Sequence, residues 1–150
     1  MTLDDLLREF SERCGAERIE PDADGIFRIV VDDTVVALRE CTPTVLIMWA
    51  EVGPLPQEGA DRICRRMMEG STLGIATDGA ALTVDAATNN VLIHAFCELG
   101  VDVRDFAMAL DAFMSERDKW AAVLEEGDAE PSDARTDDPP PLETGDFVRV

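Results

Sequence analysis

Histidine and cysteine are the residue types in this chain that most readily do chemistry, and both are scarce. His94 is the only histidine, which leaves too few imidazoles for a two-histidine metal site within one chain. It alternates with Leu92 and Phe96 in a strand-like pattern, so we interpret it as a core or interface residue. A catalytic Cys-His pair would need this imidazole to lie near Cys97 or Cys41 across a sheet. No flanking motif supports that enzyme hypothesis.

The four cysteines are spaced too widely for a metal knuckle. The gaps between Cys14, Cys41, Cys64 and Cys97 are 27, 23 and 33 residues, and no CxxC or CxxH occurs. Each cysteine falls within an apolar pattern, where a free thiol packs as a small hydrophobic side chain. We therefore predict reduced structural thiols, no metal site and a cytoplasmic protein.

Carboxylates are the most abundant ionisable groups in the chain. Thirteen basic residues stand against 32 acidic ones, which gives a formal net charge of −19 at pH 7. Adjacent pairs such as Asp32-Asp33 are expected by chance at this frequency, and we interpret them as solvated surface. The negative charge opposes binding to nucleic acid or to an anionic membrane. Residues 77–79 lack the pattern of a P-loop or an EF-hand, so the sequence predicts no cofactor.

The spacing of apolar residues predicts three helices and five strands. Thr2 and Asp5 form a capping signal for a first helix that ends at Gly15, and Asp102 with Asp105 forms another for a long last helix. Residues 57–69 form a short helix between them. The predicted strands are residues 26–31, 34–40, 44–52, 80–84 and 91–97.

This order of elements predicts an α+β fold, α-β-β-β-α-β-β-α, in residues 1–125. The sheet is antiparallel because the short links suit hairpins better than crossovers. Residues 126–150 contain eight acidic residues, two basic residues and four prolines. A segment of this composition buries too little apolar surface to offset the entropy cost of ordering it, so we predict a disordered tail. The N-terminus has no signal-peptide pattern and no apolar run approaches about 18 residues, so we expect no membrane insertion.

The third strand carries more apolar side chains than a one-sided sheet needs. Its two faces are Val45, Ile47 and Trp49 on one side, and Leu46, Met48, Ala50 and Val52 on the other. If helices cover only one side of the sheet, a partner or a second subunit covers the other. A core that is covered on both sides by the chain itself is the alternative.

Six pieces of the sequence, taken in order, resemble a known family. They are Leu6-Leu7-Arg8-Glu9-Phe10 with Gly15; Asp24-Gly25 and then Val31-Asp32-Asp33; residues 45–52 followed by Gly53-Pro54-Leu55-Pro56; Arg66-Met67-Met68-Glu69-Gly70; Thr77-Asp78-Gly79-Ala80-Ala81-Leu82; and Phe106, Leu110, Phe113 and Trp120. Over about residues 2–125 the chain resembles the class I type III secretion chaperones, the Tir-chaperone family of small acidic bacterial proteins. It departs from them at Glu69-Gly70-Ser71, where a Leu-Leu-x-x-Asn-like ending is expected, and in its acidic tail.

The resemblance implies a cytoplasmic homodimer that binds the N-terminal segment of a secreted effector and keeps it ready for export without ATP. By analogy, the dimer interface contains Ile63, Met67 and Met68. The candidate effector-binding residues are Leu6, Leu7, Phe10, Ile26, Arg28, Val30, Val45, Ile47 and Trp49, and the sequence does not separate core members from patch members. The negative charge suits a basic effector segment or a positively charged component of the export apparatus.

Two other classes of function remain open at this stage. One is a dimeric adaptor of the same fold that has a different client and no role in secretion. The other is a small enzyme that uses the Cys-His pair described above.

Overall fold

The computed structural model describes residues 1–127 as three helices and one five-stranded antiparallel sheet, which confirms the predicted α+β fold. The elements are α1 (Leu3–Cys14), β1 (Phe27–Val31), β2 (Thr34–Thr42), β3 (Val45–Pro54), α2 (Ala60–Gly70), a 3₁₀ turn (Thr72–Gly74), β4 (Ala81–Asp85), β5 (Asn90–Glu98) and α3 (Val103–Glu126). Of the predicted tail, Glu126 is the last residue of α3, and residues 128–150 lie outside the described part of the chain.

The strand order in the sheet is β1-β2-β3-β5-β4, so β1 and β4 lie at the two edges. The predicted hairpin between β1 and β2 turns at Asp32 and Asp33, which have φ values of 46° and 65°. Positive φ at both central residues is the geometry of a type I′ turn, whose twist matches that of the flanking strands. Asp tolerates this left-handed backbone better than most non-glycine residues.

The helices pack on one face of the sheet. On β3 that face consists of Leu46, Met48, Ala50 and Val52, all of which are buried. Leu3, Leu6 and Leu7 of α1 and Phe106 of α3 join the same core. The backbone amide of Leu3 donates to Glu40 Oε1 at 2.6 Å, and this bond fixes the start of α1 at the end of β2. The other face of β3 is only half-buried, because no element of residues 1–127 packs over it as the helices do.

Local signals fix the helix ends largely as predicted. The Thr2–Asp5 capping box is present, and the amide of Gly15, at φ 64°, bonds back to the carbonyls of Ser11 and Glu12. Asp102 accepts hydrogen bonds from the amides of Arg104 and Asp105 in the first turn of α3, at 2.8 and 2.9 Å. These bonds, the one to Asp105 foremost, lower the pKa of Asp102.

The predicted start of α2 at residue 57 is wrong. The helix begins at Ala60, because Gly59 has a left-handed backbone at φ 72° and therefore cannot continue a helix. The short 3₁₀ turn after α2 also had no signal in the sequence. No helix among residues 1–127 has both the length and the apolar character that a membrane span requires.

Helix α2 is held against α3 through a close contact at Gly70. A Cβ atom built at this position would lie 2.6 Å from Cζ2 of Trp120 and 2.9 Å from its Cη2. Trp120 is itself buried, so its ring has little room to move. The missing side chain at position 70 is therefore a packing requirement as well as the end of a helix.

We expect Gly70→Ala to destabilise the protein. Alanine favours a helix by up to about 1 kcal/mol over glycine, but the clash with Trp120 should cost more, roughly 1–3 kcal/mol in the free energy of unfolding. Urea denaturation followed by tryptophan fluorescence measures the difference. Gly100→Ala is the matched control, because a Cβ there meets nothing within 4 Å. Equal stability of the two variants would contradict the packing role.

Candidate functional site

A groove of about 880 Å³ runs along the free edge of β1. Its walls are the C-terminal half of α1, the connecting segment 16–22 and β1 itself. Phe10 forms part of the floor, where its ring packs edge-on against Phe106 with centroids 5.4 Å apart. Val30 of β1 is 70% exposed. An open groove with an apolar floor at the edge of a sheet suits an extended peptide better than a small molecule.

The ladder between β1 and β2 determines which backbone groups face the groove. Val31 and Thr34 flank the two-residue turn and form a hydrogen-bonded pair, so Ile29 and Phe27 also bond to β2. The intervening residues, Arg28 and Val30, therefore turn their amide and carbonyl groups away from β2. These four backbone groups point into the groove.

Asp22 closes the end of this edge beyond Arg28. Its amide donates to the Ile26 carbonyl at 2.9 Å, and its Oδ1 accepts from the Ile26 amide at 3.0 Å. The guanidinium of Arg28 donates to the other carboxylate oxygen. The pKa of Asp22 is lowered, chiefly by this hydrogen bond from Arg28 and next by the one from the Ile26 amide. Asp22 thus satisfies the backbone groups of Ile26 that would otherwise face the groove.

The nine candidate effector-binding residues divide into three places. Phe10, Ile26, Arg28 and Val30 line the groove. Leu6 and Leu7 are fully buried in the core of the protomer. Val45, Ile47 and Trp49 are half-buried on the sheet face that the helices leave open, and none of them lines the groove. The structure therefore brings together four of the nine as one accessible surface.

The open face of the sheet continues across neighbouring strands. Ile47 lies opposite Phe96 in the ladder between β3 and β5, and Trp49 lies opposite His94. The His94 and Phe96 rings meet edge-on, with centroids 6.0 Å apart, and Phe96 is 62% exposed.

The three candidate interface residues of α2 also separate. Ile63 and Met67 are buried in the core, whereas Met68 is 75% exposed. Leu73 and Ile75, which follow α2, are exposed as well. We call Met68, Leu73 and Ile75 the α2 patch. Leu73 has φ 53°, a backbone conformation that is costly for a residue with a branched side chain.

Several residues of these surfaces were missed by sequence reasoning. Asp22 lies beside Asp24-Gly25, which indicates a turn, and nothing in a turn motif indicates a bond to a strand edge. Ile19 lines the groove and packs against the core, and a single apolar residue within a charged segment was its only signal. Leu73 and Ile75 lie in a segment for which the sequence predicted no element.

The Cys-His pair considered from the sequence is not assembled. His94 lies on the open face, while Cys97 lies opposite Leu46 on the helix-covered face. Burial raises the pKa of the Cys97 thiol, which keeps it protonated. Across the sheet, His94 lies in one row with Trp49 and with Ala37 of β2. Cys41 is four residues along β2 from Ala37, which places it roughly 13 Å from this row. Within residues 1–127, no cluster of three or more potential metal ligands is found.

Comparison with protein-family models identifies the family of this chain. The model of the Tir chaperone protein (CesT) family matches residues 5–121. None of the curated proteins compared matches the sequence significantly. Several solved structures share the fold.

The ExsC–ExsE complex contains a chain with a TM-score of 0.69 and 21% identity, and the match covers 83% of this chain and 97% of that one. The Yersinia pestis type III secretion chaperone SycH, solved with a stable fragment of YscM2, has a TM-score of 0.61 and 20% identity, with 82% and 99% covered. The heterodimeric ExoU–SpcU complex from the type III secretion system of Pseudomonas aeruginosa gives a TM-score of 0.61 and 15% identity, with 83% and 98% covered. The family match spans most of the sequence and the shared fold agrees with it, so this chain belongs to the Tir chaperone protein (CesT) family.

Proposed function

We propose that this protein is a type III secretion chaperone that binds an extended segment of a secreted effector along strand β1. Family membership supports the class of function. The groove supports the location, because an apolar floor and four free backbone groups lie side by side there. Binding would hold the effector segment unfolded and soluble until export, and the affinity comes from contacts alone, without ATP.

Strand addition provides the part of the affinity that does not depend on client sequence. The amides and carbonyls of Arg28 and Val30 would form up to four hydrogen bonds with a client backbone. Each such bond contributes about 0.5–1.5 kcal/mol net. Alternate client side chains would then enter the groove beside Phe10 and Ile19. Burying one large apolar side chain contributes roughly 1.5–3 kcal/mol. Two such client side chains would therefore contribute about as much free energy as the backbone hydrogen bonds, and they would make binding selective for client sequence.

The α2 patch is the surface that best fits a second copy of the chain. Its three side chains are exposed on the protomer, while Ile63 and Met67 anchor the same helix to the core from beneath. The unbranched side chain of Met68 adapts to irregular contacts. A homodimer joined there would carry two β1 grooves.

Location and charge complete the proposal. All four cysteines are free, and two of them, Cys14 and Cys41, are exposed, which fits a reducing bacterial cytoplasm. The net charge of −19 keeps the free chaperone soluble and favours a basic client segment or a basic export component.

Val30→Pro should weaken client binding at least about tenfold. Proline removes the Val30 amide, a donor that faces the groove, and its ring blocks the approach of a strand, yet it spares the bonds between β1 and β2. The measurement is titration calorimetry with the N-terminal segment of an effector that copurifies from the source bacterium. Val30→Ala is the matched control, because it keeps the amide and loses only side-chain contact. Equal losses in the two variants would contradict strand addition.

Met68→Glu should convert the dimer to a monomer. The side chain is 75% exposed on the protomer, so the fold should survive. In the proposed apolar interface, however, the introduced carboxylate would be buried without a partner, which is strongly unfavourable. Size-exclusion chromatography with light scattering gives the mass, and circular dichroism checks the fold. Met108→Glu is the control, because Met108 is also exposed but lies on α3. A Met68→Glu dimer as stable as the original would place the interface elsewhere.

A further inference from the structure

We infer that Asp22 sets the register of the bound client strand, and that acidic residues at both ends of β1 select a short apolar strand with basic residues on each side. This inference rests on the proposed function, since it needs a client strand on β1. It names the class of segment that the groove accepts.

Asp22 already occupies the ladder position that follows Arg28. Groove-facing backbone groups recur at every second residue of β1, so the next ones after Val30 and Arg28 belong to Ile26. Both Ile26 groups bond to Asp22, the amide at 3.0 Å and the carbonyl at 2.9 Å. A client strand therefore cannot pair at Ile26 unless it displaces Asp22.

Displacement of Asp22 would break a connected set of hydrogen bonds. The Asp24 amide donates to the same Asp22 oxygen at 2.9 Å, and the Gly25 amide donates to the Asp22 carbonyl at 3.0 Å. Arg28 holds the other carboxylate oxygen. One added backbone pair would not compensate for these losses, so the hydrogen bonds between client and β1 end at Arg28.

The hairpin turn limits the other end of the client strand. β1 finishes at Val31, and the left-handed backbone of Asp32 and Asp33 carries the chain away from the ladder. The client strand thus has five positions opposite β1, and those opposite Phe27, Ile29 and Val31 face the helix-covered side. The pattern apolar-x-apolar-x-apolar fits this arrangement.

Charge at both ends then defines the flanks of that pattern. Asp22 and Asp24 lie at one end of β1, and Asp32 and Asp33 lie at the other, all of them exposed. The groove is also lined by Glu17 and Glu20, and by two cations. Each cation has an acidic partner within the protomer: Arg28 pairs with Asp22, and Arg18 lies 3.4 Å from Asp4. A Lys or Arg on each side of the client strand would meet negative charge whichever direction the strand runs.

The probes are three synthetic peptides with acetylated and amidated ends. Lys-Lys-Val-Thr-Val-Thr-Val-Lys-Lys carries the inferred pattern, and Glu-Glu-Val-Thr-Val-Thr-Val-Glu-Glu reverses only its flanks. Gln-Gln-Val-Thr-Val-Thr-Val-Gln-Gln is neutral. Titration of the ¹⁵N-labelled full chain, followed by backbone amide shifts, measures weak affinities and locates binding by residue.

We expect the lysine peptide to bind at least about five times more tightly than the neutral one, because each basic flank should raise the affinity about two- to fivefold. The glutamate peptide should bind more weakly still, and the three should converge in 1 M salt. The amides of Arg28 and Val30 should shift, and that of Ile26 should not. In Asp22→Ala the Ile26 amide should join the responding set, whereas Asp22→Asn, which keeps the acceptor oxygen, should retain the original register.

Asp32→Asn/Asp33→Asn removes the charge at one end, while Asn preserves the positive φ of the turn. It should reduce the preference for lysine flanks. Asp111→Asn/Glu125→Gln removes the same number of negative charges from exposed positions of α3 and should leave the preference unchanged.

The outcomes separate this inference from the proposed function. Equal binding of all three peptides, with shifts at Arg28 and Val30, would overturn the charge selection while the groove kept its role. A shift of Ile26 in the unaltered chain would overturn the register role of Asp22. If no peptide perturbed β1 at any concentration, both the inference and the proposed use of this edge would be overturned.

Discussion

Within the described part of the chain, strand β1 pairs with β2 along one side, and its other edge is free except where Asp22 bonds the backbone of Ile26, just before the strand. An exposed strand edge is a hazard for a stable protein, because it pairs with any extended segment that approaches. Along β1 the hazard is confined to Arg28 and Val30, since Asp22 covers one end and the hairpin turn limits the other. The surrounding acidic residues repel further copies of an acidic chain. A short, guarded edge of this kind serves a protein that must bind one extended segment and avoid others.

The remainder of the fold keeps this edge in position. α1 starts at a capping box and at the bond from Leu3 to Glu40, so its C-terminal half comes to lie beside β1. Phe10, at that end, packs on Phe106 of α3, and the Asp102 cap fixes where α3 begins. The groove wall is therefore supported by the core of the protomer. Substitutions at Leu6 or Leu7 would affect the groove only through this core, because both side chains are fully buried.

The sequence predicted the elements well where the signals were local. Capping residues, apolar periodicity and the Asp32-Asp33 turn marked two helices and a hairpin within one or two residues. The prediction of α2 started too early, because a glycine gives no sign of its φ until the structure shows it. For the binding residues, helical spacing identified Leu6, Leu7 and Phe10 as one apolar stripe. It did not separate the two that face the core from the one that reaches the groove, since this depends on where α3 and β1 pack.

The role of Asp22 also depends on contacts that its local sequence does not show. Its neighbours Asp24 and Gly25 mark a turn in any sequence, but the bonds from Asp22 to Ile26 depend on that turn folding back along β1. Likewise, Met67 and Met68 are adjacent in sequence, and the packing of α2 buries Met67, on the same face as Gly70, while it leaves Met68 exposed. Long-range packing thus determines which members of a correctly predicted pattern are available to a partner.

The alternation of hydrogen bonds along β1 allows a direct test of client binding at this edge. Hydrogen–deuterium exchange resolved to single amides would be compared between the free protein and its complex with an effector segment. We expect exchange at Arg28 and Val30 to slow at least about tenfold in the complex, which is the protection that about 1.4 kcal/mol of added stability provides. Exchange at Phe27 and Ile29, whose amides already bond to β2, should change far less. Unchanged exchange at Arg28 and Val30, with new protection on the open sheet face around Ile47 and Trp49, would contradict client binding at this edge.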